Sequence, residues 1–580
     1  MSDCNYKYTN EENILILIDL LKQHGIKNIV ASPGTTNISF VASLQSDPFF
    51  NLVSCVDERS AAYMACGIAA ETGEPVVLTC TGATASRNYA PGLTEAYYRK
   101  LPIIAVTATQ HLGRVGQNEP QVIDRSRQFA DMVKKSMQLY EVHTSEDRWA
   151  CNLAVNDIVL ESKRNGGGPV HINMVTTYSN DFSVKNLPNS RKIERMTILD
   201  KMPKIEAGEV AVFIGNHRKI NKALESQIEE FCEKYNGVVL CDHVSNYHGK
   251  YRVLPNLITM QPASDEFRKI KFLVDLGNVS GIYAGLAPEK VWRVSDDGDI
   301  KDTFKKLVKI FEMDELSFFE RMNAQKNKKT EMLYYKKWAN KNAELESRLN
   351  KIELPFSNPW VARETASNLN DGDKVHLAIL NTLRSWDLCD LKKDVDFYSN
   401  TGGFGIDGIM STALGNSLIT DKIVYCFIGD LAFFYDLNSI GNKNLKNNLR
   451  IMLINNGCGT EFHNFNHRAV TVSKINKLSP EYFAADGHYG NKSDKLVKHY
   501  AEDLGFEYLS ASNKKEFTKG LLKFTTTKSE KPILFEVFTD PKDESDALDS
   551  IYNIEKDIKS VAKKMLGVKG KKIIKKIVRR

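Results

Sequence analysis

Residues 423–430 have the sequence Ile-Val-Tyr-Cys-Phe-Ile-Gly-Asp, an apolar run that ends in a glycine and a carboxylate. Such runs are typical of strands buried in a parallel sheet, where ligands bind at the carboxyl ends of the strands. A second run, 451–457, ends in Asn-Asn-Gly. Asp430, the Asn456 amide and the Cys458 main-chain carbonyl are oxygen ligands of the kind that a hard cation shares with phosphate. Each run by itself is explained by an ordinary strand end or turn, so the metal and phosphate site is a hypothesis that rests on their order.

A second acidic motif lies near the start of the chain, where residues 56–61 have the sequence Val-Asp-Glu-Arg-Ser-Ala. Glu58 opens a helix of small and apolar residues, 60–70, which we expect to be buried on most faces. Burial favours the protonated acid, which can hydrogen-bond a ring nitrogen. The alternative is that Asp57 and Glu58 only complement the dipole of the first helical turn. The presence of the metal and phosphate motif favours the first interpretation.

Further motifs are spread along the chain. They are Ser32-Pro33-Gly34, Glu95-Ala96-Tyr97-Tyr98 before Pro102-Ile103-Ile104, Pro120-Gln121-Val122-Ile123-Asp124, Gly405-Ile406-Asp407-Gly408 with Ser411-Thr412-Ala413, and Tyr435-Asp436-Leu437-Asn438. With these motifs the chain resembles the thiamine diphosphate enzymes of the decarboxylase and acetolactate synthase superfamily. Within that superfamily it most resembles the MenD carboligases of menaquinone biosynthesis, and the resemblance covers nearly the whole chain.

The resemblance implies an α/β fold of three doubly wound parallel-sheet domains in the thiamine diphosphate-binding arrangement. Alternating strands and helices divide the chain into segments at 1–185, 186–350 and 351–556, followed by a basic tail at 557–580. The resemblance implies that these segments are a pyrimidine-binding domain, a middle domain and a diphosphate- and Mg-binding domain. The middle domain lacks a convincing Gly-x-Gly-x-x-Gly, so we expect no flavin or nicotinamide site there. In the superfamily the cofactor lies between two subunits, which implies a homodimer or a homotetramer.

The resemblance also implies roles for single residues. Glu58 would activate the aminopyrimidine of thiamine diphosphate, Gln121 would lie near its reactive face, and Ile406 would be the apolar wedge that bends it. The residues expected to hold Mg²⁺ are Asp430, Asn456 and Cys458. The other residues expected at the cofactor are Thr382, Gly405, Gly429, Leu431 and Gly459.

The departures from the MenD pattern concern the substrate. MenD enzymes bind two acidic substrates and pair their carboxylates with arginines. Here the arginines are replaced, and the expected substrate contacts are Thr35, Thr36, Gln110, Trp386 and Thr401. Loss of the arginines with retention of the thiamine motifs favours a different, less anionic substrate. Partial compensation could come from Arg87, Arg114 and Arg384.

Two polar segments beyond the diphosphate motif are candidates for the wall of the substrate pocket. Residues 459–468 contain His463 and His467, which we consider for proton transfer or hydroxyl recognition, with His463 as the catalytic candidate. A solvated surface histidine is the simpler explanation of either one. Residues 484–492 have a similar character. Polar walls with few fixed cations suit a neutral, hydroxylated acceptor such as a sugar.

Composition agrees with an enzyme of several domains. The chain has 580 residues and ten cysteines without Cys-x-x-Cys spacing, so we expect reduced thiols in the cytoplasm rather than disulfides or zinc. No stretch is long and apolar enough for a transmembrane helix, and the polar start does not indicate a signal peptide.

The basic tail is a separate signal, because Lys559 to Arg580 contain ten Lys or Arg and no Asp or Glu. Four aliphatic residues between 573 and 578 recur at helical spacing, as in amphipathic helices that lie on anionic membranes. A disordered, solubilising tail is an equal alternative because two glycines interrupt the pattern. Nucleic acid is not expected as a partner, since no aromatic residue or recognition motif accompanies the charge.

Together these features predict a thiamine diphosphate- and Mg-dependent carboligase, with polysaccharide or secondary-metabolite biosynthesis as its setting. It would release CO₂ from a 2-oxo acid donor and add the acyl carbanion equivalent to an acceptor carbonyl or alkene. Three alternatives stay open: a simple 2-oxo acid decarboxylase, a MenD-like synthase of the menaquinone pathway, and a non-catalytic binding protein on the same scaffold.

Overall fold

The computed structural model describes residues 6–205, 208–391, 393–479, 482–483, 485 and 493–556. The chain divides into two compact units, one of Met1–Thr197 with Gly298–Ile310 and the other of Ile198–Asp297 with Phe311–Arg580. The fold of the described residues is α/β, with three parallel sheets of six, seven and six strands and a short two-stranded sheet. The basic tail predicted at 557–580 lies outside the described residues.

The first sheet has helices on both faces. Its strands are β1 (Asn28–Ala31), β2 (Asn51–Ser54), β3 (Val76–Cys80), β4 (Ile103–Thr109), β5 (Ser136–Leu139) and β6 (Val170–Val175). Its helices are α1 (Glu12–Gln23), α2 (Ile38–Gln45), α3 (Glu58–Thr72), α4 (Ala83–Arg87), α5 (Ala90–Tyr98) and α6 (Ser145–Lys163), with 3-10 turns at Thr35–Asn37, Leu112–Arg114 and Arg164–Gly166. The strand order is β2-β1-β3-β4-β6-β5, and all neighbours are parallel. Strands β3, β4 and β6 are buried throughout because α1 and α6 pack into one core and α3 and α5 into another.

The middle sheet has seven strands, one more than each of the other two large sheets. They are β7 (Glu194–Thr197), β8 (Val210–Ile214), β9 (Gly237–Cys241), β10 (Arg252–Val253), β12 (Phe272–Leu276), β14 (Val291–Ser295) and β15 (Leu307–Glu312), while β11 (Lys269–Ile270) and β13 (Ala287–Pro288) form the two-stranded sheet. The helices of this segment are α7 (Lys222–Tyr235), α8 (Asn256–Thr259), α9 (Asp265–Arg268), α10 (Glu315–Asn323) and α11 (Leu333–Leu349), with a 3-10 turn at His243–Ser245. The strand order is β10-β9-β8-β12-β14-β15-β7.

The third sheet repeats the topology of the first. Its strands are β16 (Lys374–Leu377), β17 (Asp396–Tyr398), β18 (Val424–Gly429), β19 (Leu449–Asn455), β20 (Glu507–Ala511) and β21 (Ile533–Phe538), in the order β17-β16-β18-β19-β21-β20 with all neighbours parallel. Its helices are α12 (Asn358–Ala366), α13 (Asn381–Trp386), α14 (Ile409–Ile419), α15 (Asp430–Tyr435), α16 (Arg468–Asn476), α17 (Leu496–Asp503), α18 (Lys514–Phe524) and α19 (Pro541–Tyr552), with 3-10 turns at Leu437–Gly441 and Thr460–His463. Central strands β18 and β19 are the two apolar runs of the predicted metal and phosphate site.

The predicted fold class is confirmed, since the described chain contains three parallel sheets with intervening helices. Each sheet takes its strands from one predicted segment, while the domain boundaries themselves stay predictions. Residues 314–351 contain two helices, α10 and α11. Between them the chain turns, and Met332, which precedes α11, has a left-handed conformation with φ of +57°.

Two expectations from composition concern the state of the cysteines and the presence of membrane-spanning helices. The nine cysteines within the described residues all have free thiols. Burial raises the pKa of the Cys80 and Cys241 thiols to about 12, so both stay protonated at neutral pH. In the part of the chain that the structure describes, no helix has the length and apolar character needed to cross a membrane.

Candidate active site

Asp430 begins α15 directly after β18, and its side chain is buried. One carboxylate oxygen accepts the Leu431 N–H at 2.7 Å, and the other accepts the Gly457 N–H at 2.6 Å. Burial raises the pKa of Asp430 to about 6, although these backbone hydrogen bonds oppose the shift. Its hydrogen-bond donors in the described residues are backbone amides rather than basic side chains, so a bound cation would stabilise the buried charge.

Asn456 and Cys458 follow β19, which is the parallel neighbour of β18. Gly457 lies between them with φ of +73°, a conformation that glycine adopts without strain, and this turn brings its N–H to Asp430. The Cys458 thiol donates to the Asn456 side-chain oxygen at 3.7 Å. The three residues expected to hold Mg²⁺ therefore lie together at one edge of the third sheet.

A cavity of about 520 Å³ opens at this edge. The predicted cofactor residues that line it are Thr382, Ile406, Gly429, Asp430, Leu431, Asn456, Cys458 and Gly459. Among the described residues its walls carry three carboxyl groups, from Asp430, Glu461 and Glu544, and no Lys, Arg or His. A diphosphate in this cavity would need a cation from solution to offset these charges, which fits the oxygen ligands around Asp430.

Ile406 contributes an apolar side chain to the cavity wall and packs on the core between α14 and β18. The preceding Gly405 touches Asp407 so closely that a Cβ atom at Gly405 would lie 2.3 Å from the Asp407 carboxylate. Gly405 is not among the described lining residues, and it allows the tight turn that presents Ile406. The role of Ile406 as a wedge stays a prediction.

Glu58 is the first residue of α3 in the first unit. The neighbouring Asp57 is the helix cap, because its side chain accepts the Ser60 N–H at 3.1 Å. Glu58 is half-buried, and its carboxylate accepts a long hydrogen bond of 3.4 Å from the Asn88 amide. Since Asp57 alone serves as the cap, the structure leaves Glu58 available for another role.

The expectation that α3 is buried on most faces is wrong for the single chain. Ala61, Ala62 and Ala65 face the core, whereas Tyr63 and Met64 are 48% and 40% exposed. Small residues on one side let α3 pack closely on α5, and that packing leaves the other side to solvent.

Gln121 lies near the carboxyl edge of the first sheet, in a left-handed conformation with φ of +65°. Its side chain touches Gly82, where a Cβ atom would lie 3.0 Å from the Gln121 side-chain oxygen. Gly34 approaches Thr81 more closely still, because a Cβ atom there would lie 1.9 Å from the Thr81 methyl group. Gly82 thus lets the Gln121 side chain approach the loop after β3, and Gly34 lets the loops after β1 and β3 approach each other.

Arg125 supports the same edge and was missed in the sequence. It is buried, and its guanidinium donates to the Ala108 carbonyl at 2.6 Å, the Ser86 hydroxyl at 3.3 Å and the Thr81 carbonyl at 3.4 Å. Burial lowers the pKa of Arg125 to about 10, so it stays charged at neutral pH. Its position ties together the ends of β3 and β4.

Three of the expected substrate residues also lie at this edge. Thr35 and Thr36 form the 3-10 turn after β1, and the buried Thr36 hydroxyl has no hydrogen-bond partner among the described residues. Gln110 follows β4 directly and is half-buried. Their contact with a substrate stays a prediction.

The other two expected substrate residues, Trp386 and Thr401, are buried in the second unit. Trp386 packs against two phenylalanine rings at centroid distances of 6.0 and 4.6 Å. Thr401 donates to the Val279 carbonyl at 2.8 Å and accepts from the Asn216 amide at 2.9 Å. Neither residue is among the described residues that line the cavity, and their substrate roles stay predictions.

The two histidines of the loop 459–468 differ in their surroundings. His463 ends the 3-10 turn Thr460–His463 and is half-buried, but it is not among the described residues lining the cavity. His467 caps α16, because its Nδ1 accepts the Ala469 N–H at 3.1 Å. Of the segment 484–492 only Ala485 is described, and it lines the cavity.

Two of the three arginines considered as replacements are paired within the chain. Arg384 donates to both oxygens of Glu461 at 2.6 and 2.9 Å, and Arg114 pairs with Glu119 at 2.7 Å. Arg87 is exposed at the end of α4. Arg384 and Arg114 are therefore less available to pair with a substrate carboxylate.

Glu544 is a cavity residue that sequence reasoning missed. It is buried at the start of α19, where it accepts from the Thr539 hydroxyl at 2.7 Å and the Asn358 N–H at 2.8 Å. Burial raises the pKa of Glu544 to about 7. Its only signal in the sequence is an acidic residue in a first helical turn, which is routine.

A different group of potential metal ligands, His248, Asp394 and Asp396, lies in the second unit. Lys219 contacts both carboxylates at 3.1 Å, and Lys374 also pairs with Asp396. Because lysines already neutralise the two acids, this group is explained as an ion-pair network.

Parallel sheets with a buried carboxylate at the carboxyl end of a central strand are typical of α/β proteins that bind coenzymes. Residues 15–128 match the family model described as thiamine pyrophosphate enzyme, N-terminal TPP binding domain. Together with the curated relatives described next, this match shows that the chain belongs to the thiamine pyrophosphate enzyme family.

The relatives are proteins named 2-succinyl-5-enolpyruvyl-6-hydroxy-3-cyclohexene-1-carboxylate synthase. The one from Bacteroides fragilis (strain ATCC 25285) is 30% identical over 580 residues, which cover 94% of this chain and 99% of that protein. The one from Phocaeicola vulgatus is 31% identical over 570 residues with the same coverage. The one from Cytophaga hutchinsonii is 27% identical over 532 residues, covering 87% and 92%. The resemblance to the MenD enzymes, which carry this activity, is therefore confirmed.

Proposed function

We propose that this protein is a thiamine diphosphate- and Mg²⁺-dependent carboligase that releases CO₂ from a 2-oxo acid and transfers the acyl unit to an acceptor carbonyl or alkene. The cavity beside Asp430 is the observation that carries the proposal. Its described walls hold three carboxyl groups without a basic side chain, and Asp430 and Asn456 follow adjacent strands. This arrangement suits a divalent cation that binds a diphosphate.

Each residue at the proposed coenzyme site would have a separate role. Asp430, Asn456 and the Cys458 carbonyl would hold the cation, and Ile406 would pack against the coenzyme. Thiamine diphosphate, when bound, would supply the nucleophilic carbon that adds to the 2-oxo acid and the cationic ring that accepts the electrons released with CO₂. Glu58 would hold a proton on its carboxyl oxygen and share it with a ring nitrogen of the coenzyme.

A homodimer is the smallest assembly that we propose. Apolar side chains are exposed just before α3, on α3 and on α5, with Val56 80%, Tyr63 48% and Tyr98 81% exposed. Exposed apolar groups of this size are typical of surfaces that another subunit covers.

The acceptor that we propose is neutral or weakly anionic. Thr36, Gln110 and Thr401 stand where the MenD pattern has arginines, and Arg384 is already paired. A second candidate is the synthase reaction for which the relatives are named, and identity of 30–31% over 94% of the chain favours it. In both reactions a 2-oxo acid loses CO₂, so the donors and acceptors that are used decide between them.

Coenzyme binding and CO₂ release test the proposal. We expect thiamine diphosphate to bind in the presence of Mg²⁺ and not in the presence of EDTA, as measured by calorimetry. A panel of mono- and dicarboxylic 2-oxo acids should then reveal the donor through CO₂ release. Failure to bind thiamine diphosphate with Mg²⁺ would refute the proposal. Formation of the product for which the relatives are named would favour the second candidate.

Glu58→Gln is expected to lower turnover by at least about 100-fold, because the variant cannot supply the proton, while the coenzyme affinity stays within about threefold. Glu71→Gln is the matched control, since Glu71 lies on the same helix and is exposed. Steady-state CO₂ release measures both variants. Undiminished turnover of Glu58→Gln would show that this mechanism is wrong.

A further inference from the structure

A half-buried ion pair lies at the wall of the cavity. Arg384 on α13 donates two hydrogen bonds to Glu461, at 2.6 and 2.9 Å, in the bidentate geometry that gives strong pairing. The side chains are 25% and 17% exposed. Burial opposes the charge of Arg384, but the hydrogen bond and charge of Glu461 outweigh it and raise the pKa of Arg384. Arg384 therefore stays charged in the folded protein.

Two asparagines hold the pair in place. Arg384 donates to the Asn381 side-chain oxygen at 2.8 Å, and Asn464 donates to the same oxygen at 2.9 Å and to Glu461 Oε2 at 3.2 Å. This network joins the start of α13 to the 3-10 turn Thr460–His463, which follows the proposed metal ligands. The orientation of Glu461 is thus set by three other side chains, from Asn381 and Arg384 of α13 and from Asn464 just after the turn.

Only the acidic member of the pair faces the cavity. Glu461 and Asn381 line it, and Arg384 is not among the described lining residues. A carboxylate has roughly four lone-pair positions. Described donors use two positions on Oε2 and one on Oε1. The remaining position on Oε1 can accept a hydrogen bond from a ligand.

We propose that Glu461, oriented by Arg384, is a specificity-determining residue that selects an acceptor with a hydroxyl or amino group at this wall and disfavours a carboxylate. The inference deepens the proposed carboligase function and rests on it. A hydroxyl or ammonium hydrogen satisfies Oε1. A substrate carboxylate would instead meet a like charge, with no basic side chain among the described lining residues to offset the repulsion.

Acceptor selectivity of the holoenzyme tests this inference. The enzyme is loaded with thiamine diphosphate and Mg²⁺ and supplied with the 2-oxo acid that gives the fastest CO₂ release. Glyceraldehyde serves as the neutral hydroxylated acceptor and glyoxylate as the carboxylated one, and the readout is the ratio of their kcat/KM values. We expect the wild type to prefer glyceraldehyde.

Glu461→Gln keeps the shape of the side chain but leaves the charge of Arg384 without its carboxylate. The ratio should then shift toward glyoxylate by at least about tenfold, because the freed guanidinium can pair with the acceptor carboxylate. The matched double variant, Arg384→Gln with Glu461→Gln, has no unpaired cation and should show a smaller shift, of about threefold, from loss of the repulsion alone. A merely structural pair would change stability in these variants without changing the ratio.

The outcomes separate the two proposals. Absence of CO₂ release by the wild type with every donor overturns the proposed function. If CO₂ release and coenzyme affinity are normal, two results overturn the inference alone. One is an unchanged ratio of the two kcat/KM values in Glu461→Gln, and the other is ligation to neither acceptor. If Glu461→Gln does not fold, the double variant decides, because removal of both charges should reduce the preference for glyceraldehyde by at least about threefold. An unchanged preference in that variant is evidence against the inference.

Discussion

Three carboxyl groups share the cavity of the third sheet, and each has a different source of stabilisation. Arg384 stabilises the charged form of Glu461 through two hydrogen bonds. Burial favours a proton on Glu544, whose pKa is raised to about 7. Asp430 receives only backbone donors among its described hydrogen bonds, so it is the carboxylate best placed for a cation. The charge state of each carboxyl group therefore depends on the residues around it.

The stability of the coenzyme-free protein is expected to depend on pH through Glu544. Below pH 4.5 the folded and unfolded states both hold the proton, and between pH 4.5 and about 7 only the folded state keeps it. Stability therefore falls as pH rises through this window. Replacement by glutamine removes the penalty, so the stability of Glu544→Gln relative to wild type should rise by roughly 1 to 3 kcal/mol from pH 4.5 to 8.

Urea unfolding across this pH range measures the Glu544 effect. Glu530→Gln is the control, because Glu530 is exposed and should give a difference from wild type that does not vary with pH. A flat difference for Glu544→Gln as well would mean that Glu544 is charged in the folded protein at neutral pH.

At the scale of elements, strand ends and the loops after them build both sites. In the first sheet the ends of β3 and β4 are tied by Arg125, and in the third sheet the ends of β18 and β19 are joined by the Gly457 N–H on Asp430. Parallel strands bring such ends to one edge, which explains why residues far apart in sequence meet there.

Arg125→Gln is expected to lower the free energy of unfolding by roughly 2 to 3 kcal/mol. The shorter side chain cannot reach all its acceptors, and buried carbonyl groups at the ends of β3 and β4 lose their donor. Thermal unfolding measures the change, with Arg87→Gln as an exposed control that should leave the midpoint unaltered. Equal midpoints for the two variants would show that Arg125 does not brace this edge.

On the scale of the whole molecule, the first and third sheets have the same strand order although they lie at opposite ends of the chain. Each presents its candidate residues at the carboxyl edge. The proposed assembly places Glu58 of one subunit against the diphosphate cavity of another. Exposed apolar side chains on α3 and α5 support this arrangement.

The double variant Tyr63→Glu/Tyr98→Glu should dissociate the proposed dimer, because it puts charge into an apolar interface. Light scattering after gel filtration should show the mass of one chain, and turnover should fall at least about tenfold as the shared site is lost. Leu522→Glu changes an exposed leucine elsewhere and should stay dimeric and active. A monomeric wild type with full activity would rule out a site shared between subunits.

The sequence by itself determined the fold class and the residues expected at the metal site. Buried strands show as continuous apolar runs, and Gly-Asp and Asn-Asn-Gly follow such runs directly, so both signals are local. The tertiary structure decided which acids are neutralised and how. Arg384 and Glu461 are 77 positions apart, and Glu544 and Asn358 are 186 apart. Pairing and burial of such residues depend on packing between elements, which no local pattern of residues encodes.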